Sequence, residues 1–434
     1  MASPINNSKE TSVIAHRQKF EGHTDYVRGV IHLPGGQRII TCSLDGSLRV
    51  WNVKSGKQIG EDWRDGDSAV WSIALSPDGK KVVSRSEDGA VRLWDIDTCK
   101  VVKKWTGHTQ GVESVCWSQD GRKVLSGSWD GTARQWEVES GETMPEPIEN
   151  ILASIETGQD GVWAVIYSPD TTLIATAGLD GLYTGIPIEA SVKIWNAKTG
   201  KLIATLKGHT NAVYCLAWTK NGKTLISGSH DFSIRTWNTT NWKQTAVLDE
   251  HTSHVYALAI SPNDRILASA SGDKTARLWN LENGQPIRSL IQHPQLVSCV
   301  SFSAGGKRLA TGCLTNAYIW DVAAILREAG LDDLLSDPQA KKSTLQVNAT
   351  RPPIQVRPPV NRVPQGFFDA DQSYSSAQHH SRSSAPSGST FLGRLFSRSS
   401  SDTCDTSPFS PLNWRQSGEG TKSQGSRSAV VEAQ

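Results

Sequence analysis

Seven copies of one spacing decide what this chain can fold into. A slot holding His23, Gly66, His108, Gly158, His209, His251 and His293 is followed 22 residues later by Asp45, Asp88, Asp130, Asp180, Asp231, Asp273 and Thr315. Four residues before the second slot stands a hydroxyl in every copy: Thr41, Ser84, Ser126, Thr176, Ser227, Ser269 and Thr311. A tryptophan closes each copy, at Trp51, Trp94, Trp136, Trp195, Trp237, Trp279 and Trp320. Gly208–Trp237, GHTNAVYCLAWTKNGKTLISGSHDFSIRTW, shows the pattern most fully. Its runs Val213–Trp218 and Thr224–Ser227 are short, rich in β-forming residues and separated by Asn221-Gly222, which reads as strand, turn, strand. One such unit cannot bury two faces alone, so successive copies must stack to make a core.

The period of about 42 residues, the Gly-His opening and the Trp-Asp or Trp-Asn exit resemble the WD40 family over roughly residues 12–322. The resemblance implies an all-β, seven-bladed WD40 β-propeller, with four antiparallel strands per blade around a central channel. Residues 12–20 (SVIAHRQKF) match the stretch before later Gly-His pairs, such as Lys201–Lys207, which in this family is the outermost strand. The first copy has no preceding blade, so this N-terminal strand is expected to close the last blade and leave no open sheet edge there. The expected organisation is a flexible N-terminus at 1–11, the propeller at 12–322, a short C-terminal helix within 323–339 and a disordered tail at 340–434. The helix reads as Val322–Ala329, capped by Asp321 and stopped by Gly330.

Charge is nearly balanced at +2, which gives no reason to expect a polyanionic partner for the whole molecule. From Ala340 onward eleven Lys/Arg face six Asp/Glu, so the tail is +5 and the rest about −3. Of the seven cysteines, Cys42, Cys116, Cys215, Cys299 and Cys313 fall in strand runs, where a thiol acts as a small apolar group. No Cys or His cluster has zinc spacing, so neither metal nor cofactor is expected. The start lacks the basic and apolar regions of a signal peptide, and no apolar run reaches membrane-spanning length. The expectation is a chain of the cytoplasm or nucleus, not secreted and with no membrane partner.

Two segments depart from the repeat. Met144-Pro-Glu-Pro147 forms an extended connection, because each proline fixes φ and removes a donor. Repeat 4 carries nine extra residues between Asp180 and Trp195, in Gly181–Ala190, a surface elaboration or a contact loop. The tail opens on Arg351–Val360, which favours polyproline II, and continues Ser-rich, without the apolar content for a core. Its apolar islands Gly366–Phe368 and Phe391–Phe396 read as docking motifs or as stray hydrophobes. Their order resembles tails on some fungal WD40 proteins. Ser407-Pro and Ser410-Pro resemble proline-directed phosphorylation sites and Arg394-x-x-Ser397 a basophilic one, so kinases acting on the tail are expected partners.

Four copies hold the full set of His, hydroxyl, Asp and Trp: His23, Thr41, Asp45, Trp51; His108, Ser126, Asp130, Trp136; His209, Ser227, Asp231, Trp237; and His251, Ser269, Asp273, Trp279. A Ser-His-Asp nucleophile uses the same chemistry, but catalysis needs one set beside an oxyanion site, and here four equivalent sets recur round a ring. The same groups make a structural network of donors and acceptors, which in this family ties the opening loop to a turn. No catalytic residue is assigned. Blades 2, 4 and 7 each lack a member and are expected to be the softer part of the ring. A basic residue two before the tryptophan in six copies (Arg49, Arg92, Arg134, Lys193, Arg235, Arg277) tracks the fold and reads as structural.

Function is then expected where the copies differ. In this family the residue five after the first slot faces the upper mouth of the channel; here it is Arg28, Trp71, Glu113, Trp163, Tyr214, Tyr256 and Ser298. The residue before the second slot, on the same face, is Leu44, Glu87, Trp129, Leu179, His230, Gly272 and Leu314. Trp, Tyr and Arg dominate binding hot spots, so the expected partner is a peptide segment or domain of another protein. The candidate contacts are Arg28, Trp71, Glu113, Trp129, Trp163, Tyr214, His230 and Tyr256. A ubiquitin-ligase substrate receptor is an alternative. Against it, few residues precede the first strand, leaving no room for an F-box, and the exits Trp94-Asp-Ile-Asp97 and Trp320-Asp-Val-Ala323 lack the x-Arg of cullin-adaptor receptors. An RNA-associated or ribosome-linked factor is a second alternative, permitted by the basic tail but unsupported by any Arg/Lys stripe, so nucleic acid is not the expected partner.

Overall fold

The computed structural model describes residues 16–138, 151–179 and 190–336. Seven four-stranded antiparallel sheets follow one another along the chain. Blades 1 to 6 occupy residues 27–63, 70–105, 112–156, 161–207, 213–248 and 255–292. Blade 7 takes its three inner strands from Val297–Phe302, Arg308–Cys313 and Asn316–Asp321. Its fourth is the N-terminal strand Gln18–Glu21, which pairs antiparallel with Asn316–Asp321, Gln18 opposite Ile319. The innermost strand of blade 7 packs on that of blade 1, so the ring is closed. This is the seven-bladed propeller that the repeat implies, zipped by its first and last strands.

The core is divided among the blade interfaces. Each neighbouring pair shares its own cluster of buried apolar side chains, such as Ala217, Ile226 and Ile234 of blade 5 with Val255, Leu267 and Trp279 of blade 6. At the seam, Phe20, Val30 and Trp51 pack with Cys299, Ala310 and Ile319. Fully burying one such branched side chain contributes roughly 1.5–3 kcal/mol. The second strand of each blade is covered on both faces and is buried almost throughout, as in Ile266–Ser271. This is why small residues crowd it: a methyl on Gly228 would stand 2.7 Å from Cys215 Sγ and 2.8 Å from Val255 of the next blade.

One irregularity repeats in every blade. The innermost strand slips register by one residue against the second strand, and the slipped residues are Arg28, Trp71, Glu113, Trp163, Tyr214, Tyr256 and Ser298. A β-bulge leaves one residue outside the ladder and re-aims its side chain. All seven line the central channel.

After the last strand, Asp321 accepts a hydrogen bond from the Ala324 N–H (3.1 Å) and caps the helix Val322–Glu328, which ends before Gly330 at φ 69°. A 3-10 turn, Asp332–Leu335, follows. Val322, Ile325, Leu326 and Leu334 join the core between blades 6 and 7. Arg265 pairs with Glu282 (2.7 Å) and Asp333 (3.1 Å), and Asn263 Nδ2 donates to the Leu334 carbonyl (2.7 Å), so this segment is tied to blade 6. The first eleven residues, Met144–Pro147, Asp180 with the insertion after it, and the tail from 340 lie outside the described residues.

Candidate functional site at the channel mouth

The four complete copies build one geometry. The His Nδ1 to Asp Oδ2 distance is 2.8, 2.8, 2.8 and 2.7 Å in blades 1, 3, 5 and 6. His Nε2 lies 2.7, 2.7, 2.8 and 2.7 Å from the hydroxyl oxygen. The indole N–H donates to that same oxygen at 2.7–2.9 Å. Indole can only donate and an ionised carboxylate can only accept, so donation runs from Trp to hydroxyl to imidazole to Asp. Burial works against the charge on Asp45, Asp130 and Asp231, but bonds from the imidazole and the turn hydroxyl hold each well below the usual carboxylate range. Thr41, Ser126, Ser227 and Ser269 are 0% exposed. Each hydroxyl is closed off from solvent inside its blade, bonded to both the imidazole and the indole.

The three incomplete blades are arranged differently. In blade 2, Arg92 bonds Asp65 of the opening loop (2.6 Å) and, by two contacts, Asp88 of the turn (2.6 and 3.0 Å). In blade 4, Gln159 accepts from Thr176 Oγ1 (3.0 Å) and donates to the Ser191 carbonyl (3.2 Å). In blade 7, His293 keeps its hydroxyl, Thr311 (2.8 Å), and its Nδ1 meets the Ile291 carbonyl (3.2 Å) instead of a carboxylate. Arg49 bonds Asp62 of its own blade, while Arg277 and Lys193 bond Glu250 and the Thr157 carbonyl of the connections that lead into theirs.

The channel has a volume of about 540 Å3. At the bulge end the side chains form one connected group. Arg28 lies over the Trp71 ring at 5.1 Å. Trp129 packs on Trp163 (5.1 Å between ring centres), Trp163 on Tyr214 (4.6 Å), and Tyr214 on Tyr256 (5.7 Å). Trp129 and His230 stand behind the lining: the Trp129 N–H donates to Glu113 (2.9 Å), and His230 stacks on Tyr214 at 4.0 Å. Trp71 and Trp163 are 9% and 5% exposed, so they offer little open surface, while Arg28, Glu113, Tyr214 and Tyr256 are half-buried. Burial pushes the Tyr214 phenol up, and burial with the neighbouring His254 lowers His230 to about 2. Leu44, Glu87, Gly272 and Leu314 do not line the channel, and Leu179 packs under Trp163.

Three residues of this region escaped the sequence reading: Arg85, His254 and Phe232. Arg85 is buried and reaches the next blade, donating to the Val112 carbonyl (2.8 Å) and Glu113 (3.0 Å). Burial lowers its guanidinium to about 10, with Glu113 opposing. A signal for it was present. The position after the hydroxyl slot is Cys42, Gly127, Ala177, Gly228, Ala270 and Gly312 in the other copies, all small. His254 contacts His230 (3.6 Å) and the exposed Phe232 (5.3 Å), from loops that do not obey the spacing.

The repeat family described as "WD40: WD domain, G-beta repeat" matches residues 15–52, 60–95, 99–137, 150–182, 200–238, 242–280 and 284–321. The chain belongs to the WD40 family. Propellers of this family generally serve as protein-interaction scaffolds and are typically not enzymes. Among curated proteins, the chain is 28% identical over 230 residues to Striatin-4 of Mus musculus, covering 52% of this chain and 22% of that protein. It is 37% identical over 65 residues to the Periodic tryptophan protein 2 homolog of Caenorhabditis elegans, covering 15% and 6%. It is 37% identical over 76 residues to Protein HIR1 of Mycosarcoma maydis, covering 16% and 7%. The chain thus spans less than a quarter of each of these relatives. Among the described residues, no helix is long and apolar enough to cross a membrane, and no three His, Cys, Asp or Glu side chains converge as a metal site.

Proposed function

We propose that this WD40 propeller is a non-enzymatic scaffold that holds a peptide or protein segment at the bulge end of its channel. The observation that carries the reading is the set of seven bulges. The one residue per blade released from the ladder is aimed at the channel, and four of the seven are Trp or Tyr, with Arg28 beside them. The tail at 340–434 would add docking motifs and phosphorylation sites for kinases, and the protein would act in the cytoplasm or nucleus.

The test compares proteins co-purifying with the intact chain, with Trp129→Ala/Tyr256→Ala, and with a chain ending at Ser336. Both substituted residues are half-buried, so the ring should survive, and a thermal melt checks it. Partners lost from the folded double variant and kept by the shortened chain support the mouth. If the double variant keeps every partner and the shortened chain loses them, the mouth reading fails and the propeller is a platform for its tail.

A further inference from the structure

The two ends of the ring differ in charge. In each blade the second strand runs from the turn after the first strand to the turn before the third, so these two sets of turns lie at opposite ends of the ring. Each turn is counted with the first residue of the strand it leads into. The seven turns between first and second strands then hold ten Lys or Arg against four Asp, a net of +6. The six described turns between second and third strands, at the bulge end, hold six Asp or Glu against one Lys, a net of −5. The cations also differ in their partners. Toward the bulge end Arg49 is held by Asp62, Arg92 by Asp65 and Asp88, and Arg277 by Glu250. At the far end Arg265 pairs with Glu282 and Asp333, and the other nine form no ion pair among the described residues. Six of these, Arg38, Lys80, Arg122, Lys220, Lys223 and Lys307, are exposed. The turns that carry them are fastened side by side. A methyl on Gly79 would collide with Pro34 of the preceding blade, and one on Gly121 would stand 3.6 Å from Pro77. Asp264 of blade 6 accepts from the Lys220 and Asn221 N–H groups of blade 5, both at 3.0 Å, and Arg308 of blade 7 donates to the Gly36 carbonyl of blade 1 (3.2 Å). Lys220 also lines the channel. The unpaired cations therefore stand on a fixed collar round the far end of the channel, and groups already positioned lose less freedom on binding.

We propose that this basic collar is a second interaction surface, distinct from the bulge-end mouth, and that it takes an acidic segment of a partner protein. Charge complementarity selects the partner and orients it, because the far end attracts an acidic chain that the bulge end repels. A nucleic acid fits less well. No aromatic side chain stands in the seven turns to stack a base. Asp78, Asp120 and Asp170 recur among the cations, where they interrupt the run of positive charge that a continuous phosphate backbone would follow. A peptide with spaced Asp or Glu side chains can match the cations and leave those positions to uncharged residues.

The experiment selects random displayed peptides on the full chain and titrates the enriched ones by fluorescence anisotropy. The collar variant is Lys80→Glu/Arg122→Glu/Lys220→Glu/Lys223→Glu. A control, Lys54→Glu/Lys57→Glu/Lys198→Glu/Lys201→Glu, changes the net charge equally on the outer turns between third and fourth strands, and Trp129→Ala/Tyr256→Ala reports on the mouth. Each is first checked by circular dichroism and thermal melting; if the collar variant does not fold, Lys80→Glu/Arg122→Glu and Lys220→Glu/Lys223→Glu are tested separately. The expected result is a class of acidic peptides whose binding weakens about 10-fold or more in the collar variant. The same binding should weaken with added salt, fall less in the control and stay unchanged in Trp129→Ala/Tyr256→Ala. The absence of an acidic class, or an equal loss in the outer-turn control, would overturn the collar. Acidic peptides lost only from Trp129→Ala/Tyr256→Ala would also overturn it, while leaving the mouth reading in place. A labelled DNA duplex that binds the intact chain more tightly than the peptides, and is lost from the collar variant, would overturn the choice of a protein partner.

Discussion

In blade 5 the imidazole of His209 carries the link from the buried Ser227 hydroxyl to the Asp231 turn, whereas in blade 4 a neutral amide, Gln159, takes up the Thr176 hydroxyl from the adjacent position. Blade 2 uses neither, and a guanidinium, Arg92, ties its opening loop to its turn. What is the same in all three is the indole N–H on the hydroxyl: Trp237 on Ser227, Trp195 on Thr176, Trp94 on Ser84. Histidine is thus one of several side chains that occupy the space between the opening loop and the buried hydroxyl or the turn. Of the three blades expected to be softer for want of a tetrad member, blades 2 and 4 place Arg92 and Gln159 near the missing histidine, groups that the spacing does not reveal.

The largest effect should show no difference between the two kinds of blade. Trp237→Ala and Trp195→Ala each remove a buried indole, at 2% and 6% exposure, and should each cost about 3–5 kcal/mol in urea unfolding. A gap of several kcal/mol between them would mean that the joins, not the packing, carry the wall. Asp231→Ala should come next. It strips acceptors from the His209 ring and from the Thr210 and Ser233 N–H groups, for about 1–3 kcal/mol. Asp88→Ala, at a half-exposed carboxylate with Asp65 still available to Arg92, should cost under about 1 kcal/mol.

Acid separates the blades further. Burial lowers His293 to about 4, partly offset by the Ile291 carbonyl, since no carboxylate faces its Nδ1. His32, buried near Arg308, is likewise lowered to about 4. A histidine with a depressed folded pKa binds its proton more readily when unfolded, so stability should fall as pH drops from about 6.5 toward 4, by roughly 1–2 kcal/mol per group at pH 5. His293→Gln should flatten that slope in unfolding titrations run from pH 7 to 5. An unchanged slope would remove blade 7 as its source. The tetrad aspartates act lower, with the Asp273 carboxyl held at about 2 by His251 and the Thr275 hydroxyl against the cost of burial. Their contribution is present above about pH 4 and lost as pH falls below it. The smallest effect is expected at Thr315→Ala, within about 0.5 kcal/mol, because blade 7 has no carboxylate at that turn to lose.

Blade number, strand order, the closing strand and the capped helix were all legible, because each follows from a spacing or a terminal signal repeated or stated in the chain. The bulge positions were legible as a register, though not as bulges, since a one-residue slip leaves no mark on composition. Gln159 was missed because its side chain enters from one residue beyond the slot that holds histidine elsewhere. Arg85 was not legible as a slot that keeps one residue type, and its information lies in breaking a run of small residues. His254 and Phe232 sit on loops, where contacts are set by tertiary approach and no period applies.

The N-terminal strand in blade 7 also bears on how the molecule is made. Gln18 finds its partner at Ile319, so the final join spans almost the whole propeller, and its loop-closure entropy falls due only after every blade is in place. During synthesis six blades can assemble in order from the ribosome, but the ring stays an open arc with an unpaired edge until Asp321 has emerged. That nascent arc, more than the finished ring, is the form that a chaperone would need to guard.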